Sequence, residues 1–299
     1  MRYAPEDMPF RIKVQHRLVN ALAEGLIRTL LLLPYKWRIP AMGWIMAHLV
    51  GPVAGYLRRA EAHVGFIMPH LPAAEIKRIA RGSLNNFGRT LIEIYSTKQF
   101  HLRQKGLAYS GPGFAAFEEA ARNNRPVILV TGHFGNYEAS RANLIYRGYS
   151  VTGLYRDMSN PYFNAHYVAA METLNGPGFP QGRRGTAGFV RHLKAGGQLV
   201  LLFDQHVAGA PVLDFLGQPA CTAISAAELA LRYDALLVPF FGIRNPDGLT
   251  FTLEMDSPVP HSDPHTMTQR MNDLLSTRIR AHPEQWMWIS RRWRPGKLT

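Results

Sequence analysis

Cysteine is almost missing from this chain. Cys221 stands alone among 299 residues, which excludes an intrachain disulfide framework and any zinc cluster built on thiolates. Charge is also scarce, at 18% of residues against a usual figure of about 25%. Acid is scarcer than base: 21 Asp and Glu face 34 Lys and Arg, for a net charge of +13. There is no internal repeat and no low-complexity tract. What is plentiful is apolar surface, 46% of residues, so disorder is excluded and a sizeable core is affordable. A chain both poor in charge and positive suits an anionic partner: nucleic acid, an anionic membrane or an acidic carrier.

The least charged region lies near the N-terminus. From Arg17 to Leu33, Asn20, Glu24 and Arg28 recur at helical spacing against a face of Leu, Ile and Ala, which makes an amphipathic helix. Basic, aromatic PYKWR follows, and then Ile39 to Leu57 carries no Asp, Glu, Lys or Arg. Length permits a membrane span there. Pro40, Pro52 and the glycines at 43, 51 and 55 favour a buried or half-inserted helix instead. Glu24 and Arg28 inside the apolar run argue against a cleaved signal peptide. Residues 1–60 therefore read as a membrane-docking helical region, retained, ahead of an α/β domain over 61–299.

In that second part, short apolar runs alternate with helical periodicity. Strands are predicted at Val127 to Val130, Ser150 to Tyr155, Gln198 to Phe203 and Leu236 to Ile243, with an edge strand at Leu249 to Met255. Helices are predicted over 73–97, after Pro112, from about Asn136, after Pro161, over 223–233 and around Met267 to Ile279. The fold class is α/β, a mixed, mostly parallel sheet flanked by helices.

Such sheets place ligands at the C-terminal ends of their strands. There the sequence reads TGHFGNYE, Thr131 to Glu138. On one continuous helix His133 and Glu138 would be rotated by roughly 140° and would not meet. Across a strand–loop–helix junction they can. A neutral imidazole then takes a proton from a hydroxyl while the carboxylate holds its tautomer. Gly132 and Gly135 would let substrate approach the backbone, and N–H groups at the helix start, about Asn136, would stabilise an oxyanion. On the local pattern alone, a structural histidine capping a strand end fits nearly as well. Arg156 offers a fixed fork to phosphate or carboxylate, as do Arg183 and Arg184, which otherwise make a solvated basic turn. Asn160 before Pro161 fits a helix cap. Asp204 and Gln205 end a strand on the expected rim. His192, His261 and His265 read as surface residues, and Cys221 as a passive small one. Trp286, Trp288 and Trp293, interleaved with Arg291, Arg292 and Arg294, suit a core, a membrane-interface belt or a nucleic-acid platform.

GHFGNYE resembles the H-x4-(D/E) block of glycerolipid acyltransferases, in the form found in bacterial lipid A secondary acyltransferases. Other pieces follow in that family's order: YRDMSNP at 155–161, QGRRG at 181–185, LLFDQH at 201–206, DFLGQPACT at 214–222 and PEQWMWISRRWR at 283–294. A lone H-x4-E is weak, whereas this ordered set is specific and runs from about residue 18 to 294. The resemblance is greatest to a compact alphaproteobacterial branch.

The resemblance implies acyl transfer from an acyl thioester to a hydroxyl of a membrane lipid, with His133 as general base and Glu138 as its partner. Arg156, Asn160, Arg183, Arg184, Asp204, Gln205 and His206 would bind substrate. Gly132, Gly135 and Asn136 would supply backbone donors. No cofactor and no metal is implied, since the donor, acyl carrier protein or a coenzyme A thioester, is itself a co-substrate. The implied partners are that donor, a membrane lipid acceptor and an anionic membrane surface. The implied location is the cytoplasmic face of the bacterial inner membrane, either peripheral (monotopic) or by a single span. Two departures bear on the acceptor: His206 replaces the usual acid after D-Q, and Ser290 stands where many relatives have His. A lipid A precursor is the favoured acceptor, with a lyso-aminolipid or lysophospholipid as the alternative. A nucleic-acid-binding protein would explain the charge, but no RNA- or DNA-binding motif is present. A non-catalytic lipid-binding relative is disfavoured by the pairing of His133 with Glu138.

Overall fold

Strands buried on both faces read as unbroken apolar runs, and VILVT becomes the central strand of the sheet. In the computed structural model the described residues are 8–175 and 178–293, so Arg294 of the C-terminal signature lies outside them. The strands are β1 (Tyr109–Ser110), β2 (Val127–Thr131), β3 (Val151–Tyr155), β4 (Phe179–Pro180), β5 (Gln198–Leu202), β6 (Val212–Phe215), β7 (Gln218–Cys221), β8 (Leu236–Arg244) and β9 (Phe251–Met255). Seven of them form one sheet in the order β1-β9-β8-β2-β5-β3-β4. Every pairing in that sheet is parallel except β8 with β9. The fold class is as the sequence indicates. The edge expected at Leu249 to Met255 is covered by the two residues of β1. The β6–β7 hairpin is not in the sequence reading, because its residues carry no apolar run. Its two-residue turn has Leu216 and Gly217 both at positive φ, the backbone of a hairpin turn that matches strand twist.

The helices are α1 (Phe10–Leu31), α2 (Tyr35–Ile45), α3 (Gly51–Val53), α4 (Tyr56–Ile67), α5 (Ala73–Tyr95), α6 (Thr97–Gln104), α7 (Gly113–Arg122), α8 (Tyr137–Tyr146), α9 (Pro161–Asn175), α10 (Arg183–Lys194), α11 (Ser225–Arg232) and α12 (Pro264–Ala281). Side chains of β2 alternate between two cores. Val127 and Leu129 join Phe117 of α7 and Leu144 of α8, while Ile128 and Val130 join Ala227 of α11 and Leu275 of α12.

The charge-free stretch after Ile39 is not one helix. A π-helical turn at Met46–Val50 separates α2 from α3, and Gly55 at φ +71 separates α3 from α4. Gly51 allows the close packing of this turn: a Cβ there would meet Met46 O at 2.5 Å and Leu84 Cδ1 of α5 at 2.6 Å. Among the described residues no helix is long and apolar enough to cross a membrane. Of the two forms expected for this region, the span is therefore not the one the structure takes. Ile39 and Met42 are buried with Ala139 and Ala142 of α8, and residue 60 falls inside α4.

One buried ion pair fixes the sheet to the loop after β2. Glu93 of α5 is fully buried and takes two bonds of 2.7 Å from the Arg244 guanidinium at the end of β8. Arg244 Nε also donates to Asn86 Oδ1 at 2.7 Å, and Asn136 Nδ2 donates to Glu93 Oε2 at 2.7 Å. Removing one partner of such a pair strands a charge, which costs about 3–5 kcal/mol. Arg244→Met is therefore expected to lose roughly that much in urea unfolding, and adding Glu93→Leu to recover part of it. An Arg244→Met variant as stable as wild type would contradict the clamp.

Candidate active site

β2 ends at Thr131, and the next two residues put the imidazole of His133 at the carboxyl edge of the sheet. β5 lies beside β2 in register, Thr131 opposite Leu202. Its continuation delivers Asp204 to the same place. Asp204 Oδ1 meets His133 Nδ1 at 2.7 Å, and Asp204 Oδ2 accepts the His133 backbone N–H at 2.7 Å and Trp286 Nε1–H at 2.8 Å. Burial alone would raise the Asp204 carboxyl. Electrostatic interaction with the His133 ring and the hydrogen bonds from His133 and Trp286 outweigh it and hold the group below the ordinary carboxylate range. An ionised Asp204 fixes the proton on Nδ1 and leaves Nε2 as the basic nitrogen. Nε2 faces Gln205 Nε2 at 3.4 Å.

The carboxylate that bonds the imidazole is thus that of Asp204, not that of Glu138 as the sequence suggested. The reason is local. Asn136 caps α8, its Oδ1 accepting Glu138 N–H at 2.9 Å, so Glu138 sits in the first turn. Its side chain runs one turn on to Arg141 at 3.5 Å, and both are buried. Burial raises the Glu138 carboxyl, against the opposing charge and hydrogen bond of Arg141.

Two of the three backbone donors expected in this loop, those of Gly135 and Asn136, are bonded within the protein. Gly135 N–H donates to Gln285 O at 3.0 Å, and Asn136 N–H to Gly242 O at 2.8 Å. Both glycines are needed for close packing, and Gly135 also lines the apolar cavity described below. Gly135 has φ +57 and a Cβ there would meet Gly242 O at 2.0 Å, while one on Gly132 would stand 2.6 Å from Leu275 Cδ2 and 3.0 Å from Asp204 Oδ2. Asn86 Nδ2 donates to both Gly135 O and Gln285 O, which ties α5 to the same loop.

Two cavities meet at His133. The first holds about 750 Å³ and is nearly all apolar, with Leu22, Leu26, Met42, Met46, Val53 and Phe87 among its walls. The second, about 590 Å³, is polar and is lined by Glu138, Arg141, Arg156, Asp157, Gln181 and Gln205 among others. Both volumes are of ligand size. Among the described residues, His133, Tyr137, Met158 and Tyr167 are those that line both. A substrate with an apolar tail and a polar head, joined at the reacting carbon, would lie across that seam.

The other expected residues divide. Arg156 and Gln205 line the polar cavity. Asn160 does not: its Oδ1 caps α9, accepting Tyr162 N–H at 3.1 Å, and its Nδ2 bonds His16 O at 2.9 Å. Arg183 and Arg184 open α10, exposed and outside that lining, whereas Gln181 before them is in it. His206 is half-buried beside Gln205 and outside both linings. Among the described residues, no three His, Cys, Asp or Glu side chains are placed to share a metal ion.

Trp286, Trp288 and Trp293 are all buried and in ring contact, so core is the use the structure makes of them. That Trp286 also holds Asp204 was not visible in the sequence. Arg292 is fully buried and donates to Gln205 O at 3.1 Å and Cys221 O at 2.6 Å, holding the loop beside the imidazole. Burial pushes its guanidinium down to about 10, against the pull of the Asp204 carboxylate. Sequence reasoning missed Asn86, Glu93 and Arg244. The available signal was polar side chains on buried stripes: Glu93 inside LIEIY, and Arg244 closing VPFFGIR.

Comparison with known proteins shows the family. The profile of the bacterial lipid A biosynthesis acyltransferases matches residues 8–295. A lipid A biosynthesis acyltransferase of Haemophilus influenzae is 25% identical over 93% of this chain and 91% of its own length. The lipid A biosynthesis myristoyltransferase of Escherichia coli is 24% identical over 86% of this chain and 81% of its own. The lauroyltransferase of the same organism is 28% identical over a shorter stretch, 61% of this chain and 60% of its own. A match across nearly the whole chain, on a fold that brings a carboxylate-held histidine to the meeting point of an apolar and a polar cavity, places this protein in the bacterial lipid A biosynthesis acyltransferase family.

Proposed function

We propose that this acyltransferase moves a fatty acyl group from an acyl thioester to a hydroxyl of a lipid A precursor. The observation that carries the reading is the His133–Asp204 pair at the seam of the two cavities. The acyl chain occupies the apolar cavity and the polar part of the reactants the other. His133 Nε2 takes the acceptor hydroxyl's proton where Gln205 Nε2 now stands, at 3.4 Å. The alkoxide oxygen bonds to the thioester carbon, the tetrahedral intermediate collapses, and the C–S bond breaks. The imidazolium returns its proton to the departing thiolate. Asp204 holds the imidazole and stabilises its charge throughout.

Arg156 and Arg141 give the polar cavity cationic groups for phosphate or carboxylate. The donor is acyl carrier protein or coenzyme A, both anionic and suited to a chain of net charge +13. His206, one of the two departures that bear on the acceptor, does not line the polar cavity. A lipid A precursor therefore stays the favoured acceptor.

The protein works at the cytoplasmic face of the inner membrane, and among the described residues no helix is long and apolar enough to cross it. Leu22, Leu32, Trp37 and Val53 are exposed on the N-terminal helices, Leu22 at 76% and Val53 at 91%. Leu22 and Val53 also line the apolar cavity, so its mouth opens on this apolar face. Lone apolar residues are ordinary at a surface, but a contiguous group marks a contact surface. Arg11, Arg17 and Lys36 are exposed along the same helices.

The direct test is transfer from a lauroyl thioester to a lipid A precursor, followed by mass spectrometry. His133→Ala and Asp204→Asn are each expected to lower kcat by about 10²–10⁴-fold with the fold intact. Glu138→Gln is expected to act on the polar cavity, raising KM, because it leaves Arg141 facing a neutral amide. An Asp204→Asn variant with normal kcat would remove Asp204 from the mechanism. Transfer to a lyso-aminolipid but not to a lipid A precursor would change the acceptor and leave the reaction class.

Vesicle sedimentation tests the membrane surface. Binding to anionic vesicles is expected to weaken with salt, since each surface Lys or Arg contributes about 1 kcal/mol. Replacing Leu22 and Val53 by Ser is expected to remove the part that salt does not. A double variant that binds as well as wild type would contradict this face.

A further inference from the structure

The C-terminal segment reaches the site twice. Its backbone runs beside the loop after β2: Gly135 N–H donates to Gln285 O at 3.0 Å, Met287 N–H donates to His133 O at 3.0 Å, and Phe134 bridges Trp286 in antiparallel register. The side chain of Trp286 then reaches the same carboxylate as the imidazole. Its Nε1–H donates to Asp204 Oδ2 at 2.8 Å, on the oxygen that also accepts the His133 backbone N–H at 2.7 Å. The residue is 1% exposed, and its ring is held among those of Phe215, Trp288 and Trp293, with centroids 4.7–5.8 Å away. A ring so confined fixes the direction of its N–H.

Packing alone does not call for tryptophan here. A phenyl ring would fill most of the same space, and what the indole adds is one N–H donor. That donor meets a buried carboxylate, where a charge-assisted bond is stronger than at a surface. Asp204 Oδ1 serves the imidazole, with His133 Nδ1 at 2.7 Å, while Oδ2 is taken by the two fixed donors. Each donor on Oδ2 draws off charge that would otherwise face Nδ1–H. Burial raises the Asp204 carboxyl, and the Trp286 bond is among the interactions that hold it low. The other charged or titratable groups around the pair are Arg292, fully buried and drawn to Asp204 by charge, and Tyr137 and Glu138 at the start of α8, the Tyr137 ring standing 5.7 Å from that of His133. From α12 the contact is apolar, Leu275 beside Gly132.

We propose that Trp286 is a positioning residue for acyl transfer: its indole N–H, acting through Asp204, holds the imidazole of His133 in its reacting orientation and limits the charge that Asp204 presents to it. This rests on the reading of His133 as base toward an acceptor hydroxyl. Trp286 touches no reactant, and its N–H keeps its proton throughout. When the imidazole takes the hydroxyl proton, the charge on Asp204 turns toward Nδ1–H and the indole bond lengthens. When the imidazolium gives its proton to the thiolate, the indole bond tightens again. A base held too strongly in its protonated form is idle at the working pH, so a limit on that charge serves turnover.

The test is the pH dependence of kcat for wild type and Trp286→Phe, with a lauroyl thioester and a lipid A precursor. Without the indole donor, Asp204 favours the imidazolium more, so the neutral base is lost at a higher pH. A hydrogen bond to a charged group is worth about one pH unit or more, and the acid limb is expected to move up by about one unit. On the plateau kcat is expected to fall about tenfold through lost orientation, with KM for either substrate changed by no more than about threefold. An acid limb that stays in place or moves to lower pH would overturn the proposal whatever the loss of stability, since the ring would then only pack. If Trp286→Phe does not fold, ¹⁵N NMR of the indoles in wild type and Asp204→Asn decides. One of the five tryptophan signals is expected to move as the imidazole takes up its proton in wild type and to stay still in Asp204→Asn. A wild-type spectrum with no such signal would overturn the proposal. Failure of the proposed function looks different: wild type itself then transfers no acyl group, or His133→Ala keeps full activity, while the indole signal still reads the bond to Asp204.

Discussion

The carboxylate of Asp204 is the point on which this site is built. One oxygen holds the imidazole of His133, and the other gathers the His133 backbone N–H and the Trp286 indole. Three parts of the chain, the ends of β2 and β5 and the C-terminal segment, thereby converge on one buried group. A buried carboxylate costs free energy unless it is paired and hydrogen-bonded. Here every partner is also a functional or structural element of the site. Gly132 belongs to the same arrangement, since a side chain there would crowd both Asp204 and Leu275.

Below that point lies a second buried charge pair, Glu93 with Arg244, which reaches the loop through Asn136 and Asn86. Both networks hold the loop. The same rigidity keeps the imidazole between an apolar chamber and a polar one, as a reaction joining a fatty chain to a polar head requires.

The sheet was legible in the sequence because a doubly covered parallel sheet needs unbroken apolar strands, and Val127 to Val130, Gln198 to Phe203 and Leu236 to Ile243 are such runs. The β6–β7 hairpin was not, since its signal is turn chemistry at Leu216 and Gly217 rather than an apolar run. His133 and Asp204 were both singled out, each as a polar residue closing a strand. Their pairing was missed because sequence proximity favoured Glu138, while a partner 71 positions away is supplied by the adjacency of β2 and β5. Asn160, chosen for substrate, turned out to cap α9 and anchor α1. The charge-free stretch after Ile39 had the composition of a span, but its glycines let α5 pack closely and break the helix.

The central claim is that Asp204, and not Glu138, fixes the tautomer of the catalytic imidazole. ¹⁵N NMR of histidine-labelled protein, with His133→Ala used to assign the resonance, tests it most directly. With the ring neutral, Nδ1 is expected to carry the proton and Nε2 to be bare in wild type, with the same pattern in Glu138→Gln and a mixture of tautomers in Asp204→Asn. An unchanged His133 spectrum in Asp204→Asn, together with a mixed one in Glu138→Gln, would contradict it.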